Sequence, residues 1–154
     1  MKKELDRIDI KIISALQTHG RMTNVDLADK VGISAPPCLR RVRALVKAGY
    51  LNGYHADVDS AKLGFTVTVF AMVGLHSQAD KDLQAFEELV RSWPEVRECH
   101  MLNGDIDFIL KCVSEDLSSF QMFLTQKLTP APNVANVKTS LTIRQTKKQP
   151  GVPL

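Results

Sequence analysis

From Leu5 to Leu16 the apolar side chains fall at Leu5, Ile8, Ile12 and Leu16, with Ile13 and Ala15 widening the stripe. That spacing of three and four predicts an amphipathic helix, which Gly20 ends. Thr23 followed by Asp26 offers an N-cap with an acidic residue three positions on, so a second, short helix is predicted over 24–31, burying Leu27, Ala28 and Val31. Gly32 suits the left-handed residue that closes a helix, and Ser34 is placed to cap a third. Pro36 and Pro37 fall in the first turn of that helix, where a missing N–H leaves no intrahelical bond unmade. The third helix is predicted over 35–48, closing at Gly49, with Leu39, Val42, Leu45 and Val46 as its buried stripe and Cys38 beside them.

After Gly49 the period changes. Tyr50 to Val58 reads as a connecting strand or linker, with a domain boundary near Ser60. Phe65 to Leu75 alternates Val67, Val69, Ala71 and Val73 against Thr68, Phe70, Met72 and Gly74, a strand with apolar side chains on both faces. Asp80 to Trp93 returns to helical spacing through Leu83, Phe86, Leu89, Val90 and Trp93, and Pro94 stops it. Val96–Leu102 and Ile106–Val113 read as two strands around Asn103-Gly104-Asp105, residue types suited to a tight hairpin turn. A helix over 117–128, capped by Ser114 or Asp116, and a last strand over 134–144 follow. The tail 145–154 has two prolines and no pattern and is expected to fray.

Three helices followed by β-α-β-β-α-β define an α+β chain: an N-terminal helix-turn-helix domain, winged-helix-like, and a C-terminal ferredoxin-like βαββαβ domain with an antiparallel sheet. The expected organisation is 1–52 helix-turn-helix, 53–64 connecting strand or linker, 65–145 ferredoxin-like, and 146–154 tail. Both helices of the second domain lie on one face of its sheet. Phe70 and Met72 make the other face apolar as well, and a second copy of the same sheet is the simplest cover.

Charge separates the two parts. Residues 1–50 hold ten Lys and Arg against five Asp and Glu, a net of +5, while the remainder holds ten against twelve. A polyanion partner therefore suits the first third and not the rest. The longest apolar run, Val67 to Leu75, is far short of the roughly 20 residues that span a bilayer. Met1-Lys2-Lys3-Glu4 leads into a charged amphipathic stretch and not an apolar signal core, so the chain reads as cytoplasmic with no membrane partner. Cys38, Cys99 and Cys112 are an odd number without a CxxC pair, which argues against a disulfide framework or structural zinc; no metal and no cofactor is called for. His19, His55 and His76 are scattered, and no GxSxG, phosphate-binding glycine loop or HExxH occurs, so no enzyme is read here.

Residues 24–43 have the dimensions of a helix-turn-helix, with Ala28 allowing close helix approach and Gly32 making the turn. The partner this implies is double-stranded DNA. Ser34, Ala35, Pro36 and Pro37 sit at the end of the third helix that touches base edges or phosphates in such motifs. Arg40, one turn on, is the candidate base-reader. Arg41 and Arg43 suit phosphate clamps or intradomain pairs, and Lys47 lies on the same helix.

The chain resembles the Lrp/AsnC family of bacterial and archaeal regulators over almost its whole length. The likeness is carried by Leu5-Asp6-Arg7-Ile8-Asp9 with Ile12-Ile13, Gly32-Ile33-Ser34, Cys38-Leu39-Arg40-Arg41-Val42, Gly49-Tyr50-Leu51, Glu98-Cys99-His100 and Gly104-Asp105-Ile106-Asp107. The resemblance implies that the second domain is that family's regulation-of-amino-acid-metabolism domain, forming homodimers that assemble to octamers or other multiples of dimers. It further implies a small effector, typically an amino acid, near the GDxD turn between dimers, with Met101, Leu102, Asn103, Gly104, Asp105 and Asp107 as the candidate contacts. A carboxylate there can receive an α-ammonium group and turn N–H groups an α-carboxylate. Two alternatives stay open: an architectural, nucleoid-type DNA-binding protein, and a small-molecule-binding enzyme on a ferredoxin-like fold.

Overall fold

The computed structural model describes residues 4–154; the three residues before them, read above for a leader, lie outside. The described residues divide into two compact units, one of residues 4–57 together with Thr146–Leu154, the other Val58–Gln145.

The first unit contains α1 (Arg7–Thr18), α2 (Asn24–Val31) and α3 (Ala35–Lys47) around Ile12, Leu16, Leu27, Val31, Cys38 and Leu45. Helix α1 starts two residues later than the apolar stripe because Asp6 is its cap, accepting from the N–H groups of Ile8 at 2.9 Å and Asp9 at 2.8 Å. Thr23 caps α2 as expected, accepting from Asp26 N–H at 3.2 Å. At Gly32, φ is +78°, and the N–H groups of Gly32 and Ile33 both return to Ala28 O, closing the turn that aims α3. Asn24 Nδ2 donates to Ala35 O at 2.8 Å and so ties the start of α2 to the start of α3.

Two expectations for this unit are corrected. The stripe of α3 turned inward is Cys38 and Leu45, both fully buried, with Val42 beside them, while Leu39 and Val46 are 38% and 47% exposed. Each of those two sits one residue past a buried position, about 100° further round the helix, which carries it out of the core. No strand forms over 50–58: residues 52–58 are exposed and belong to no sheet, and a strand without a ladder partner leaves its backbone to water. The tail, expected to fray, rests on α1 through Gln17 and Val152.

In the second unit, β1 (Val67–Leu75), α4 (Asp80–Arg91), β2 (Val96–Met101), β3 (Phe108–Ser114), α5 (Leu117–Phe123) and β4 (Val134–Leu141) form an antiparallel sheet of order β2-β3-β1-β4. Helix α5, capped by Asp116, runs into a π-helical turn, Leu124–Leu128. Val69, Ala71, Val73, Phe108, Leu110 and Cys112 face the helices. Phe86, Phe108, Trp93 and Phe123 pack there in tilted and edge-on contacts with centroids 4.9 to 6.3 Å apart. Burial pushes the Cys112 thiol up to about 12, so it stays protonated as a core residue.

On the opposite face, Phe70 and Met72 of β1 stand beside Lys111 and Ile109 of β3, and Glu98 and His100 of β2 continue the two rows. That face is therefore apolar at Phe70, Met72 and Ile109 and charged where Lys111 of β3 donates to Glu98 of β2 at 2.7 Å.

Candidate nucleic-acid interface and ligand loop

At about 100° per residue, Pro36, Arg40, Arg43 and Lys47 of α3 fall within an arc of roughly 60°, diametrically opposite Cys38 and Leu45. All four are exposed, and none of the three cations has an ion-pair partner among the described residues. The buried side of the helix thus fixes which side presents its cations. Ser34 occupies the cap position of α3, yet its hydroxyl makes no cap bond. The reason lies in the sequence: the N–H groups such a cap would receive belong to the second and third residues of the helix, and these are Pro36 and Pro37. The exposed Ser34 hydroxyl stays available at the positive end of the helix, beside the partly buried Ala35 and Pro37.

Arg41 does not join that arc. Its Nη1 donates to Asp6 Oδ2 at 2.7 Å and to Asp9 Oδ1 at 2.9 Å, so in the structure it forms an intradomain pair, one of the two roles it suited. Asp9 is 1% exposed, and the pair satisfies a carboxylate that burial would otherwise penalise. The Asp9 N–H first, and the Arg41 guanidinium second, hold the Asp6 carboxyl below the usual aspartate range. The role of Asp6 and Asp9 went unread from sequence, although their i, i+3 spacing puts both carboxylates on one side of the start of α1.

In the second unit, Leu102–Asp107 joins β2 to β3 as a loop and not as the tight turn expected. Such a turn needs positive φ at its central residues, and neither Asn103 nor Gly104 has it. The loop is fixed from its far end. Leu102 N–H donates to Asp107 O at 2.8 Å, and Asp107 N–H to Val73 O at 3.0 Å. Asp107 Oδ2 receives the Leu75 N–H at 2.6 Å and Gln78 Nε2 at 3.4 Å. Asp107 is therefore a half-buried brace whose Oδ1 has no partner among the described residues. Asn103, Gly104 and Asp105 are exposed, as are Met101 and Leu102, and a side chain added at Gly104 would meet nothing within 4 Å. The loop brings all six candidate residues to one end of the sheet, with a fixed carboxylate at Asp107 and a free one at Asp105.

Comparison with known proteins finds a family for each unit. Residues 5–52 match the winged helix-turn-helix DNA-binding family, and residues 68–152 the Lrp/AsnC ligand binding domain. The chain is 53% identical over 147 residues to a leucine-responsive regulatory protein of Rhizobium meliloti, covering 96% of this chain and 94% of the relative. It is 42% identical over 151 residues to the Bkd operon transcriptional regulator of Pseudomonas aeruginosa, covering 98% and 99%. Among solved structures, a transcriptional regulator of Neisseria meningitidis in complex with L-methionine superposes with a TM-score of 0.92 at 33% identity, over 97% of each chain.

Proposed function

Because this chain belongs to the Lrp/AsnC family of transcriptional regulators, we propose that α3 reads DNA through Arg40, Arg43 and Lys47 and that an amino acid bound at the 101–107 loop regulates it. The observation that carries the first half is the arc of exposed cations opposite the buried side of α3. Arg40, nearest the helix start, reads base edges; Arg43 and Lys47 contact phosphates, and Ser34 donates to a phosphate where the two prolines leave its hydroxyl free. The exposed Asp105 and the Oδ1 of Asp107 supply anionic acceptors for an α-ammonium group. The same chemistry is consistent with a structural relative that carries L-methionine.

We assign the sheet face bearing Phe70, Met72 and Ile109 to a second copy of the chain, with dimers associating further around the loop. Phe70 is 37% exposed, and a row of apolar side chains with charged margins is the composition of an interface core and rim. Sedimentation of Phe70→Asp as monomers, against multiples of dimers for the unsubstituted chain, is the expected result.

The test for DNA is an anisotropy titration against a fragment selected by the unsubstituted protein from random DNA, with random DNA compared at matched salt. Arg40→Ala is expected to lose preference for the selected fragment; Lys47→Ala should weaken both and flatten the salt dependence by about one phosphate contact. If the two variants bind both DNAs as the unsubstituted protein does, α3 is not the reader. For the effector, a thermal-shift screen of the twenty amino acids is expected to find at least one that raises Tm. A screen with no rise overturns that half.

A further inference from the structure

We infer that the α/β unit carries a second small-molecule site, at the end of the sheet away from the 102–107 loop, for a compact amphiphile with a hydrogen-bond-donating head and an aliphatic or aromatic body. Strand β3 leaves the loop at Phe108 and ends at Ser114, and there a cleft of about 820 Å³ opens between the sheet end, the chain before β1 and helix α5. Its volume lies in the range of sites that enclose metabolites and small drugs.

Two features single it out. Four exposed large apolar side chains, Val58, Leu63, Phe65 and Met122, converge on this one cleft. Its polar atoms are incompletely matched: Ser114 is 5% exposed with its Oγ buried, Glu95 Oε2 is buried too, and neither atom has a hydrogen-bond partner among the described residues. The other carboxylate oxygen of Glu95 receives Lys127 Nζ at 2.7 Å. Burial, the largest single influence, raises the Glu95 carboxyl, but the Lys127 hydrogen bond, a backbone hydrogen bond and the Lys127 charge together hold it below the usual range, so it is ionised at neutral pH. Lys127 reaches it from the π-helical turn, where Thr129 N–H returns to Leu124 O at 2.8 Å; such turns concentrate at functional sites. An anionic oxygen and a hydroxyl, both buried and both lacking a donor, select a ligand head that brings donors, while the apolar rim selects its body.

The experiment uses the full chain and three probes of one shape: 2-phenylethylamine, 2-phenylethanol and methyl 2-phenylethyl ether, which cannot donate. In ¹H–¹⁵N correlation spectra the amine or the alcohol is expected to shift the amides of residues 95, 114 and 122 saturably, and the ether to bind at least about tenfold more weakly. Stronger binding of the amine identifies a cationic head, and equal binding a neutral donor. Met122→Trp, at an exposed rim position, should block binding. Ser114→Ala should weaken it while leaving Tm unchanged or higher, since it removes an unmatched buried hydroxyl. Shifts confined to 101–107, no saturable shift in the millimolar range, or unchanged binding in both variants would overturn the site. Asp105→Ala is expected to leave these shifts in place, which separates this site from the loop.

Discussion

Arg41 of α3 places its guanidinium 2.9 Å from the carboxylate of Asp9, which is buried in α1, and this contact couples the helix that carries the cations to the helix that supports it. Arg41 stands next to Arg40 in sequence, yet about 100° of helix rotation gives the two arginines different work.

Arg41→Ala is expected to lower the stability of the helical unit by about 2–3 kcal/mol, because it takes one charged donor away from a buried carboxylate and from the Asp6 cap. Arg40→Ala, on an exposed side chain, should leave thermal stability unchanged and cost about 1–3 kcal/mol in binding to a preferred DNA sequence. Melting curves and anisotropy titrations on both variants check the pair. Equal melting temperatures with equal losses in binding would contradict the division.

Acid should loosen the same contact. A carboxyl held below its ordinary range stabilises the fold at neutral pH, where it is ionised in both states, and that contribution is lost as pH falls through the lowered value. Urea unfolding followed by helical circular dichroism is therefore expected to show stability falling below the ordinary aspartate range. Asp6→Asn should flatten that fall. An unaltered pH profile in the variant would assign the effect elsewhere.

At the loop, two neighbouring carboxylates should behave differently. Asp107→Ala removes the acceptor of the Leu75 N–H, so it is expected to destabilise the unit by about 1–3 kcal/mol as well as weaken the effector. Asp105→Ala, at an exposed side chain with no hydrogen bond or ion pair among the described residues, should keep the melting temperature and lose the amino-acid-induced rise. A rise of normal size in Asp105→Ala would remove that residue from the site.

The tail offers a fourth test. Gln17 Nε2 donates to Val152 O at 2.8 Å and Gln17 Oε1 accepts the Val152 N–H at 3.1 Å, so one side-chain amide mimics a strand neighbour. Gly151 makes this possible: its φ is +72°, and a Cβ there would collide with the Gln17 side-chain amide. Gly151→Ala is expected to detach the tail at a cost of about 1–3 kcal/mol, and Gln17→Ala to detach it without backbone strain. Amide exchange at Val152 should accelerate in both; unchanged protection in both would refute the clasp.

Much of the fold was legible because the two periodicities are strong and punctuated. Helix α2 was read to its residue bounds, since Thr23 and Gly32 mark its ends chemically. The order of strands and helices followed from where the period changes. The partner of each side chain was less legible. Leu39 and Val46 fit an apolar stripe as well as Cys38 and Leu45 do, and only the packing of α1 and α2 against one side decides between them. The cleft beside Ser114 was not legible at all, because Glu95, Ser114 and Met122 lie on three separate elements with no common motif.

The chain by itself determined that a cationic helix follows a glycine turn and that an α/β domain comes after it, because propensity, capping and hydrophobic period are local properties of neighbouring residues. Only the tertiary structure decided that Arg41 turns to Asp6 and Asp9 while Arg40, Arg43 and Lys47 stay exposed. It also decided that Asp107 braces the loop through Leu75 while Asp105 stays exposed. A side chain's role in such cases depends on which distant groups share its side of an element, and that is settled when the elements pack.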